Sequence, residues 1–273
     1  MMPGPIVIRA CDLCGQPIQQ WTLQSGNTFG ATFWSDGKLE APMMPEIPFL
    51  VKCPHCEQML WIEAADIIEE VELDAVSEED GPFPGAEPFL YPDEEEYLQF
   101  FIFRDVDEEE ELYVRLHAWW CGNDPWRTDT SLNGGPERFS IPQRENMMRL
   151  SQLFGAEEPG DRVMLAELAR EQGDFEEALE WLDGEFPKDW ERGIEFLRQQ
   201  CKKRDPRVLA VPMQEFDFDL DVAPVGGILR RLADRSKRWL MGIVVSFLGV
   251  DTKARELGKL DLPAREQRAV IDD

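Results

Sequence analysis

An α+β fold is predicted for this chain, with a small antiparallel sheet at the N-terminal end followed by a mainly α-helical region. Three observations predict it. Two Cys-x-x-Cys pairs, Cys11-Asp12-Leu13-Cys14 and Cys53-Pro54-His55-Cys56, bracket an insert of 38 residues with strand-like alternation. From Glu94 onward apolar residues recur at spacings of three and four, the period of a core-facing helix. Between these regions lies an acidic stretch interrupted by Pro82, Pro84, Pro88 and Pro92. The expected organisation is a four-cysteine module over residues 1–76, an acidic Pro-rich linker over 77–93, a helical region over 94–215 and a C-terminal tail over 216–273.

Within the module, Ile6-Val7-Ile8 reads as a strand entering Cys11, and Gly15 supplies the turn that lets backbone amides face the sulfurs. The second half repeats the plan: Phe49-Leu50-Val51-Lys52 enters Cys53 and Met59-Leu60-Trp61-Ile62 leaves Cys56. In the insert, residues 20–24 and 31–34 alternate as strands, with turns at Ser25-Gly26-Asn27 and Ser35-Asp36-Gly37. Residues 64–76 carry a weak, acidic helical pattern.

Two thiol pairs at this spacing point to a closed tetrahedral metal site with Cys11, Cys14, Cys53 and Cys56 as ligands, and zinc is the metal expected. Four thiolates leave no position for water, so such a site is structural rather than catalytic. Two competing readings stand beside it. Cys-x-x-Cys-Gly followed by Cys-Pro-x-Cys also resembles rubredoxin, which implies iron, although Glu57 stands where that family has glycine. Alternatively, the pairs are redox thiols, without the βαβ pattern that usually frames them. His55 is expected to be exposed rather than a ligand. The turn-rich insert is the candidate recognition surface, with Asn27, Trp34 and Asp36 as its candidate residues.

Charge narrows the function. The formal net charge is -27. Residues 63–111 hold 20 acids against one base, Arg104, while residues 1–62 hold five acids and three bases. A phosphate backbone is bound by basic surfaces, so this pattern argues against nucleic acid as a partner. Only two histidines occur, and no nucleophile elbow, phosphate loop or dinucleotide fingerprint is present. An enzyme using carboxylates between sheet and helices is the runner-up to a non-catalytic interaction module with a protein partner. The N-terminus lacks the charged and apolar regions of a signal peptide, and cysteine usage suits a reducing cytoplasm.

In the helical region, residues 108–120 place Leu112, Leu116, Trp119 and Trp120 on one face, with Asn123-Asp124-Pro125 expected to end the helix. Helix is expected again over 143–154, 161–182 and 190–202. The run from Leu168 to Leu179 resembles the central turn of a tetratricopeptide repeat, with Gly173 at the turn and Ala178 at the close helix approach, in a hairpin over 161–185. Near the C-terminus, Arg230, Arg231, Arg235, Lys237 and Arg238 precede the apolar run 239–250. That run is too short to span a bilayer, which leaves a buried helix or, for 228–250, contact with a membrane surface or partner. The whole arrangement resembles uncharacterised bacterial proteins that join an N-terminal zinc-ribbon-like four-cysteine module to tetratricopeptide-like helical hairpins, which implies an architecture rather than an activity.

Overall fold

A computed structural model describes residues 1–75, 82–102, 104–128 and 134–212. The readings made for 216–273, including the 228–250 segment, lie outside the described residues.

Among the described residues ten short strands come first: β1 (Met2–Pro3), β2 (Ile6–Ala10), β3 (Pro17–Gln20), β4 (Leu23–Ser25), β5 (Thr32–Phe33), β6 (Leu39–Glu40), β7 (Leu50–Lys52), β8 (Met59–Trp61), β9 (Ile67–Val71) and β10 (Glu87–Pro88). Six α-helices follow among the described residues: α1 (Glu94–Gln99), α2 (Glu108–Thr128), α3 (Ile141–Ser151), α4 (Pro159–Gln172), α5 (Phe175–Trp181) and α6 (Glu191–Lys203). The mixed class is therefore as expected, with small antiparallel sheets before the helices. Among the described residues no helix is long and apolar enough to cross a membrane.

The main sheet has the order β10-β3-β2-β9, with β2 antiparallel to β3 and β9, and β10 parallel to β3. β7 and β8 form a separate hairpin. β-branched Ile6, Val7 and Ile8 suit β2's central position, where Ile8 is fully buried. Arg9 staples the layer together. Its guanidinium donates to Gln20 Oε1 at 2.6 Å, Ala65 O at 2.8 Å and Glu63 Oε2 at 2.7 Å. Part of the Pro-rich stretch also belongs here, since Leu90 exchanges backbone hydrogen bonds with Lys52 and Phe89 is buried beside the cysteines.

Two expectations are corrected. Residues 67–71 form strand rather than helix: Ile67, Ile68 and Val71 favour an extended backbone, and the open edge of β2 takes their hydrogen bonds. α2 also runs through Pro125 to Thr128 instead of ending at Asn123-Asp124-Pro125. Proline inside a helix forfeits a hydrogen bond, an amount tertiary contacts can offset. Here the last turn is pinned by Asn123 and Arg127, both buried in ion and hydrogen-bond contacts.

The β7–β8 hairpin packs on α1 and α2. Leu50, Tyr97, Phe100, Tyr113, Val114 and Ala118 form one buried cluster there, with Trp61 edge-on to Phe100 and Tyr113. The Phe49 amide donates to the Tyr113 hydroxyl at 3.0 Å, and Lys52 meets Glu96 at 2.5 Å. α2, α3 and α4 enclose a second core around Leu116, Trp119, Met147, Leu150, Met164 and Leu168. α4, α5 and α6 enclose a third around Ala166, Ala178, Leu182, Ile194 and Leu197. Gly173 adopts φ +89 between α4 and α5, a left-handed turn glycine tolerates without steric cost, and Ala178 is fully buried where the helices approach.

Candidate metal centre

The β2–β3 and β7–β8 hairpins each turn through one Cys-x-x-Cys pair, and the two turns are built alike. In the first, the Cys11 amide donates to Gln16 O and the Gly15 amide to Cys11 O. In the second, the Cys53 amide donates to Gln58 O and the Glu57 amide to Cys53 O. Gly15 has φ +73 and Glu57 has φ +58, so both turns need a left-handed residue directly after the second cysteine. Glu57 is thus a sequence departure from the glycine pattern but not a conformational one.

These turns bring the four cysteines together. All four sulfurs lie within 4.8 Å of one another, with Cys11 Sγ 3.9 Å from Cys56 Sγ and Cys14 Sγ 3.7 Å from Cys53 Sγ. Metal–sulfur bonds of about 2.3 Å in a tetrahedron require sulfur separations of about 3.8 Å, so the donor set fits one thiolate-bound ion. The His55 amide points at Cys53 Sγ at 3.4 Å, the kind of contact that stabilises a ligating sulfur. Burial raises the Cys11 thiol above its ordinary range and pushes Cys53 up to about 12, whereas the backbone amide of Gln16 lowers the exposed Cys14. Four sulfurs this close would repel one another as thiolates, and a bound cation supplies the compensating charge. Tetrahedral S4 coordination suits zinc or iron.

Neither histidine joins this centre. The exposed His55 ring lies 3.0 Å from Pro17 O. His117 is buried on α2, stacked on Tyr113 at 3.9 Å, with Nδ1 at 2.8 Å from Tyr113 O and Nε2 at 2.9 Å from Glu46. The remaining cysteines are raised by burial, Cys121 to about 12 and Cys201 to about 11, so neither is a ready thiolate near neutrality.

The three residues expected at a recognition loop are separated by burial. Asn27 is exposed, and its Oδ1 caps the Phe29 amide at 3.0 Å. Trp34 is half-buried beneath the Arg127 guanidinium. Asp36 is fully buried and accepts from both Arg127 Nη groups, at 3.0 and 2.5 Å, and from Asn123 Nδ2 at 2.9 Å.

Asp36 opens onto a buried charge network that sequence reading missed. Glu171 accepts from Trp119 Nε1 at 3.1 Å, Asn123 Nδ2 at 3.1 Å and Arg138 Nη2 at 2.8 Å. One turn earlier Glu167 accepts from Arg170 at 2.8 and 2.5 Å, and Arg170 also donates to the carbonyls of Asp205 and Arg207. Three carboxylates face three guanidiniums, and all six side chains are almost wholly buried. Burial raises the Glu171 carboxyl, while the neighbouring Arg138 guanidinium pulls it back down. Convergent acids were the feature an enzyme reading asked for, yet here each is matched by an arginine. One sequence signal was available: Val163, Glu167 and Glu171 share one helical face at four-residue spacing, which places two acids on an apolar stripe.

No protein family, curated protein or solved structure matches this chain.

Proposed function

We propose that this chain is a non-catalytic, zinc-stabilised protein-interaction module. Cys11, Cys14, Cys53 and Cys56 would hold one Zn2+, and the tetratricopeptide-like α4–α5 hairpin with α6 would dock a protein partner. The observation that carries the reading is the closed set of four sulfurs: cysteines occupy every corner of the tetrahedron, so the ion braces hairpins rather than activating water. Zinc is preferred to iron because the 38-residue insert between the two cysteine pairs is unlike the one in the rubredoxin family. The left-handed turn at Glu57 adds nothing to that choice. Thiolate ligation suits a reducing compartment, and we assign the working protein to the cytoplasm. Any recognition by the insert falls to its exposed tip at Asn27 and Phe29, since Asp36 is committed to Arg127.

Elemental analysis of protein purified without added metal tests the centre. One equivalent of zinc, with the four thiols unreactive until a chelator is added, is the expected result. Bound iron with thiolate-to-metal absorption in the visible, or no metal and freely reactive thiols, would overturn it. For docking, Glu176, Glu177 and Glu180 are exposed on α5. The full chain carrying lysine at all three should lose a partner that the parent chain retains, with its circular dichroism unchanged. Undiminished retention would remove the α4–α5 hairpin as the docking surface.

A further inference from the structure

β9 is an edge of the main sheet, and three observations about it coincide. Its only strand partner among the described residues is β2, so one side of its backbone has no strand partner among them. Two of its apolar side chains face solvent, Ile67 at 53% exposure and Ile68 at 45%, and Leu73 beyond it is 44% exposed. Asp66, Glu69, Glu70, Glu72 and Asp74 surround these residues, all exposed and none ion-paired among the described residues. An open strand edge is a template for association, and charge decides with what: five acids repel a second copy of the same edge and favour a basic, apolar occupant.

This chain carries such a segment. Residues 228–240 hold five bases, Arg230, Arg231, Arg235, Lys237 and Arg238, against one acid, Asp234, interleaved with Ile228, Leu229, Leu232 and Leu240. The fifteen residues 213–227 separate it from the last described position, and when extended they span up to about 50 Å, comparable to the width of a folded body of this size. Tethering raises the effective concentration of the segment to about the millimolar range, far above that of a free competitor. We propose that β9 with its acidic rim is the docking surface for the chain's own 228–240 segment, with the arginines on Glu69, Glu70 and Glu72 and the leucines over Ile67 and Ile68. Docked this way, the segment's basic and apolar faces would be withheld from other acidic surfaces. The inference does not depend on the α4–α5 hairpin binding a partner.

Zero-length carbodiimide crosslinking of the full chain, read by mass spectrometry, tests the docking. Lys237 should join Glu69, Glu70 or Glu72 within single chains, at a yield independent of protein concentration. The yield should collapse in about 1 M salt, where screening shortens to about 3 Å. It should collapse likewise in R230E/R231E/R235E, which leaves Lys237 in place, and hydrogen exchange over 67–74 should then accelerate. Absence of these crosslinks, their formation only between chains, or yields untouched by salt and by the arginine reversals would overturn the proposal.

Discussion

The sheet region and the helical region are each tied at a polar centre, and the two centres rest on opposite physics. In the sheet, four sulfurs of like kind converge within 4.8 Å, and on the proposed zinc reading their charge as thiolates would be offset by an ion from outside the chain. Around Asp36, Glu167 and Glu171, the compensating charges are the chain's own Arg127, Arg138 and Arg170. The first centre closes two local hairpins. The second joins residues 34–38 to α2, α4 and the 205–211 segment, with the Ser35 amide donating to Leu209 O and the Val211 amide to Phe33 O. The proposed metal centre would therefore be conditional on its surroundings, whereas the ionic one is set once the chain has folded.

If the four cysteines hold zinc as proposed, removing one of them should have the largest effect. Structural zinc in small domains contributes on the order of 10–16 kcal/mol of apparent binding free energy, more than a sheet with so small a core can spare. Cys53→Ser, or a strong chelator, should therefore bring amide exchange in β2, β3, β7 and β8 to unfolded rates. The helical circular dichroism of α4–α6 should persist. If the sheet stays protected without metal, the two centres do not differ as described.

Breaking the ionic centre comes next. Asp36→Ala strands the Arg127 guanidinium in a site where both side chains are almost wholly buried, and should cost about 3–5 kcal/mol in denaturant unfolding. Arg127→Met added to that background should cost far less than in the parent chain, because the orphaned charge leaves with it. Additive losses would show that the pair is not coupled.

A partly exposed pair gives a smaller, pH-dependent effect. The Arg149 guanidinium, together with Arg115, holds Glu111 down at about 2, from an ordinary 4.5. A depressed carboxylate stabilises the fold above its unfolded value and loses that contribution as the pH falls through its folded one. Glu111→Gln should therefore destabilise by about 1 kcal/mol at pH 7 after solvent screening. The difference from the parent chain should shrink below pH 4.5 and vanish near pH 2. A constant difference across that window would assign the effect to packing.

The smallest change compares the two knuckles. Glu57 occupies a left-handed conformation that costs a residue with a Cβ about 1 kcal/mol, and Gly15 holds the equivalent place without that cost. Glu57→Gly should raise stability by less than 1 kcal/mol with metal content unchanged. A loss would mean that the Glu57 side chain contributes more than its backbone strain removes.

Much of the metal centre was legible from residue order because each half is local. Cys11 and Cys14, like Cys53 and Cys56, are three positions apart, and the strand before each pair and Gly15 are adjacent in sequence. The α4–α5 hairpin was legible for the same reason, since Gly173 and Ala178 act over a few residues. Residues 67–71 were not, because their strand state depends on an edge that β2 offers some 60 positions away. The end of α2 was hidden too, because Pro125 argues locally for a stop while Asp36, about 90 positions earlier, holds Arg127 in place. Sequence alone thus determined which groups meet within a turn: each cysteine pair, the helical periods and the acidic character. Tertiary structure alone decided that Asp36 is a buried anchor rather than a displayed loop residue, and that Glu167 and Glu171 have arginine partners. A charge's worth depends on the dielectric and the counter-charge around it, and both are set by chain segments distant in sequence.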